Sequence, residues 1–156
     1  MSIALRMSRF AQVVAALALM LGVSVSARAA DTVDVAARIA AMNTVATNTV
    51  TRVGERQTRA INRMVELDAA GKADRFIFAA AQAGKRSVNE AAERGRREIN
   101  QIASRTVAQL RRQGAAQDVI AQVTSAREAA ATSVNTAALA ARDAITAKAD
   151  ELTGAE

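Results

Sequence analysis

The sequence predicts an all-α fold: an elongated antiparallel three-helix bundle, coiled-coil-like and built on an eleven-residue apolar repeat, after a cleaved signal peptide. Three observations carry this expectation. Apolar residues return every eleven positions, as in Ile39, Val50 and Ile61, and again in Met42, Val53 and Met64. The repeat slips phase twice, and each slip coincides with a glycine, Gly71 or Gly114. No proline interrupts the 156 residues, so nothing in the covalent chain forces a long helix to break.

An α-helix turns 100° per residue, so eleven residues return to within about 20° of three full turns. A stripe on that repeat stays nearly straight, with a slight right-handed drift, where a heptad would wrap to the left.

Residues 1–29 read as the signal peptide. Arg6 and Arg9 make a positive start, Ala11 to Val25 form an apolar run broken only by Gln12, Gly22 and Ser24, and Ala27 and Ala29 are small. Those are the three regions of a secretory signal, so the mature chain is expected to begin at Ala30. The run is also short for a membrane span. No cysteine follows it, so no lipid attaches there. The expected location is periplasmic or extracellular, with 30–156 a single helical domain. No disulfide can staple it, and stability rests on packing alone.

The first helix is expected over about 32–69, starting near Asp31, Thr32 and Asp34. Its "NTVATNTVTRV" segment is rich in β-branched residues and Asn, which makes it the weakest stretch. Val45, Val50 and Val53 do not alternate by two, so helix is favoured over strand. The second helix, about 73–113, carries Ile77, Val88, Ile99 and Leu110 at eleven-residue intervals, with Ala81, Ala92 and Ala103 beside them. The third, about 117–152, carries Val123, Val134 and Ile145, flanked by Val119, Ala130, Ala141 and Leu152. From Ile61 to Ile77 is sixteen residues and from Leu110 to Val123 thirteen, so an unbroken helix would swing the stripe by about 160° or 220°. Gly71 and Gly114 therefore read as helix C-termini, with Asp74 and Asp118 marking the next starts. Arg111 and Arg112 fall in a last turn, where cations suit the helix dipole. Such short connections make sequential helices antiparallel.

Gly84 and Gly95 lie on the second helix's stripe, eleven apart. A glycine inside a helix costs about 1 kcal/mol against alanine, so the pair asks for close approach of another backbone. The candidate packing and interaction stripe is accordingly Ile77, Ala81, Gly84, Val88, Ala92, Gly95, Ile99 and Leu110.

The formal charge of +6 includes Arg6, Arg9 and Arg28; without them the chain is only +3. Charge is unequal by segment. Residues 31–68 hold five basic and five acidic groups, 72–113 ten and four, and 114–156 three and six. The basic second helix is expected to pair electrostatically with the acidic third, and Glu55/Arg59, Glu90/Arg94 and Glu93/Arg97 are spaced as i,i+4 ladders.

Function classes narrow by chemistry. With no His and no Cys, nothing titrates near neutrality in its ordinary state and no activated thiol or His–Ser pair is available. "AAAQAGKRS" resembles a phosphate loop only in Gly-Lys: Ala79 stands where the loop needs Gly, and Arg86 where it needs Ser or Thr. Carboxylate-bridged metals want Glu-x-x-His partners, which are absent. Nucleic acid has arginines to bind but no aromatic stacking platform. The expectation is a non-enzyme without cofactor, metal, small-molecule substrate or nucleic-acid partner. It would be a structural or protein-interaction protein of the bacterial envelope with a protein partner or self-association. The alternative is a reversible lipid-surface binder, for which the Ala/Val/Ile stripes are weakly apolar.

Overall fold

The computed structural model describes residues 33–154. Residues 1–29, with the expected signal peptide, lie outside the described residues. Three helices follow one another: α1 (Val35–Ala69), α2 (Asp74–Arg112) and α3 (Gln117–Thr153). Each packs against the other two, and no strand occurs among the described residues. The fold is an all-α three-helix bundle.

Each end has an identifiable cause. At the first start the chain enters extended, and the Asp34 carboxylate accepts the Ala37 N–H at 2.9 Å. Helix therefore begins at Val35, three residues after the expected start near 32, because Asp34, one of the residues expected to mark that start, is the cap. Losing that cap costs about 1 kcal/mol. Asp34→Ala should lower the chemical-denaturation midpoint accordingly, with the slope unchanged.

The two turns are built alike. Gly71 and Gly114 sit at φ 63° and 67°, the left-handed region that other residues enter at a cost of roughly 1–2 kcal/mol. Gly71 N–H donates to Asp68 O at 2.8 Å and Lys72 N–H to Leu67 O at 3.0 Å. At the second turn Gly114 N–H donates to Arg111 O at 3.1 Å and Ala115 N–H to Leu110 O at 3.0 Å. This is the Schellman pattern, which uses carbonyls the helix end would otherwise strand. α2 begins at Asp74 and α3 at Gln117, one residue later than expected and as expected, with Asp74 and Asp118 in their first turns.

The β-branched stretch of α1 is continuous helix. Thr44, Thr49 and Thr51 hydroxyls donate to the carbonyls of Ala40, Val45 and Thr47 at 2.9, 2.7 and 3.1 Å. That back-bonding spares Thr49 an unpaired hydroxyl although it is buried.

The core follows the eleven-residue clock. Met42, Val53 and Met64 are 0–1% exposed, as are Ile77, Val88 and Ile99 on α2 and Val123, Val134 and Ile145 on α3. Ile39, Val50 and Ile61 are only half-buried: they flank the α1 seam. Alanines fill most of the remaining core positions, which keeps the helices close. The contacts also give direction. Gly84 faces Ala60 while Gly95 faces Thr49, and Lys85 reaches Thr146 while Arg96 reaches Asn135. Numbers rise on one helix as they fall on the next, so sequential helices are antiparallel.

Candidate interaction surface

The eight stripe residues Ile77, Ala81, Gly84, Val88, Ala92, Gly95, Ile99 and Leu110 are all buried within the bundle, between 0 and 4% exposed where a side chain is present. Thr106 extends the glycine row by a further eleven residues and is also buried, its hydroxyl donating to Ile102 O at 2.8 Å. At Gly84 an added Cβ would fall inside the 3.0 Å that real Cβ atoms keep from the Ala60 Cβ, with Ile145 Cδ1 at 3.5 Å behind it. At Gly95 it would lie 2.5 Å from Thr49 Cγ2 and 2.8 Å from Thr49 Cβ. At both glycines α1 lies too close to α2 to admit a side chain. This stripe is packed inside the bundle, and the surface open to solvent is the exterior.

On that exterior the expected charge pairing takes another form. Among the described residues the ion pairs are Arg63–Glu66, Arg127–Glu128 and Lys148–Glu151, all within single helices. None joins α2 to α3. The inter-helix links are charge to neutral: Arg96 Nη1 donates to Asn135 Oδ1 at 3.0 Å and Lys85 Nζ to Thr146 Oγ1 at 3.3 Å. The acids Asp118, Glu128 and Asp143 are exposed on α3 and meet no cation of α2. The three i,i+4 ladders are not closed either; Arg59 Nε donates instead to the Glu55 main-chain carbonyl at 3.3 Å. Water competes well for such exposed side chains, and holding two of them together costs entropy that a surface pair barely repays.

A feature absent from the expectation is an arginine row on α1. Arg52, Arg56, Arg59 and Arg63 are spaced i, i+4, i+7 and i+11 and so share one face; Arg38, eighteen residues before Arg56, is five full turns away on the same line. Arg56 Nη1 donates to Ser87 Oγ of α2, which sets this row along the α1–α2 junction. On α2, Arg94, Arg105 and Arg112 follow Ser87 by seven, eighteen and twenty-five residues, each close to a whole number of turns. Arg63 is the only basic residue of α1 or α2 paired with a carboxylate. Next to this face, a shallow depression on α2 is lined by Arg94, Arg97, Glu98, Asn100, Gln101 and Ser104.

Among the described residues, the large apolar side chains left exposed are Val65, Phe76, Phe78 and Leu139, with the Arg75 guanidinium 4.9 Å from the Phe76 ring centre. No helix among the described residues is long and apolar enough to cross a membrane. Nor does any group of three or more His, Cys, Asp or Glu come together there to hold a metal. No family model, no curated protein and no solved structure matches this chain.

Proposed function

We propose that the chain is an exported, non-catalytic helical-bundle protein of the bacterial envelope, structural or protein-interacting, that works through its outer surface. One observation carries the reading: the apolar stripes are consumed within the chain, closed at Gly84 against Ala60 and at Gly95 against Thr49. A helix meant for a lipid surface keeps its apolar face free. Export rests on residues 1–29, where Arg6 and Arg9, the apolar run and Ala27/Ala29 follow one another.

The alternative is reversible binding to a lipid surface or other hydrophobic interface. It is favoured by Phe76 and Phe78, exposed just after the α1–α2 turn with Val65 exposed before it, since helices that lie on a lipid surface present Phe, Leu or Trp to it.

Circular dichroism and light scattering on the mature chain, with and without anionic vesicles, separate the two. Full helicity and a cooperative melt without lipid are expected, with intact mass placing the first residue at Ala30 or one later. Helix that forms only on vesicles would overturn the reading in favour of lipid. Exported material retaining all 156 residues would overturn the cleavage.

A further inference from the structure

We infer that the arginine face shared by α1 and α2 receives the outer face of α3 from a second copy of this chain; the inference rests on the protein-interaction reading above. The groove supplies cations with almost no internal partners: Arg52 and Arg94 are exposed and in no ion pair, and Arg56 spends its guanidinium on a neutral hydroxyl. α3 supplies the opposite charge. It is the acidic segment, and Asp118, Glu128, Asp143 and Glu151 are exposed on it.

Shape agrees with charge. Between its acids the outer face of α3 carries Ser125, Ala129, Thr132, Thr136, Ala140 and Ala147, all exposed and all small, so another helix can approach closely. Leu139 stands among them as the most exposed of the large apolar residues and gives the contact an apolar anchor. Arg52 and Arg63 are eleven residues apart, as are Arg94 and Arg105. The cations thus recur about every 16 Å along their helices. Guanidinium favours this use, because its planar fork matches a carboxylate.

The two surfaces are different patches of one molecule, so the contact is heterologous and propagates from copy to copy unless it closes into a ring. An anionic lipid surface could also meet the arginines, but it would leave the acids and small residues of α3 without a role.

Sedimentation and light scattering on the mature chain provide the test. Association should strengthen with concentration and weaken at least tenfold between about 0.05 and 1 M salt, as screening shortens from over 10 Å to about 3 Å. Arg52→Glu/Arg94→Glu should weaken it about tenfold or more, and so should Glu128→Lys/Asp143→Lys, with helicity and melting unchanged because all four positions are exposed. Mixing the two variants should restore association, since each retains the surface the other has lost. Assembly indifferent to salt and to both variants would overturn this interface while leaving the protein-interaction reading in place. A chain that stays monomeric at every concentration, yet binds anionic vesicles through Arg52 and Arg94, would overturn both.

Discussion

Ile99→Asp should leave the chain without a cooperative melt, whereas Glu93→Gln, six residues earlier on the same helix, should be nearly silent. Ile99 is 0% exposed, so aspartate would have to ionise among apolar side chains or bind a proton to avoid doing so. Either route costs several kcal/mol, and the lost isoleucine contacts add to it. A bundle in which half of the buried apolar residues are alanine has little to spare, because each alanine contributes less buried area than the leucines of a larger core. Glu93 is exposed and in no ion pair, and neutralising it should shift stability by less than about 0.5 kcal/mol. Thermal melts followed at 222 nm compare the two directly. Equal melting temperatures would mean that the eleven-residue stripe is not the packed face.

How far the sequence alone reaches differs between elements. The helix ends near Gly71 and Gly114 were legible because a phase slip and a left-handed turn leave the same mark, a glycine after a periodic run. The centre of the α1 stripe was not. Ile39/Val50/Ile61 and Met42/Val53/Met64 repeat equally well and lie only about 60° apart on the helix, so periodicity cannot choose between them. The small residues choose: Ala46, Thr49 and Ala60 lie on the methionine side, where α2 comes close. Thr49 was also hidden, since a hydroxyl reads as surface until its bond to the Val45 carbonyl is seen.

The exterior was the least legible part. The ladder spacings of Glu90/Arg94 and Glu93/Arg97 invite pairing, yet spacing only permits a contact, and in water such a contact is worth little. The arginine row on α1 has a spacing as regular as any apolar stripe. What gives it meaning is the Arg56–Ser87 bond, a tertiary fact that places it beside the basic flank of α2.

The glycines allow the sharpest test, because three of them should respond with opposite signs. Replacing Gly84 and Gly95 together by leucine should destabilise the bundle, by up to about 4 kcal/mol. Even a methyl group at Gly84 collides with the Ala60 Cβ, and at Gly95 with the Cβ and Cγ2 of Thr49. Neither neighbour is the far end of a flexible chain, so only a shift of α1 relieves the clash. Leucine adds three more carbons at each of two positions about 16 Å apart, and α1 cannot pivot away from both. Overpacking of this kind costs about 1–3 kcal/mol per site, against a propensity gain of about 1 kcal/mol for each glycine removed. Gly54 reverses the balance. It lies in the interior of α1, and an added Cβ there meets nothing within 4 Å. Gly54→Ala should therefore stabilise by about 0.5–1 kcal/mol through the restricted unfolded chain alone. Were the α2 stripe a lipid-facing surface, the two leucines would instead raise both the melting temperature and vesicle affinity. The expected result is a lower melting temperature for the leucine pair, a higher one for Gly54→Ala, and no gain in vesicle binding; a leucine pair that melts higher than the parent chain would mean that α1 does not sit on that strip.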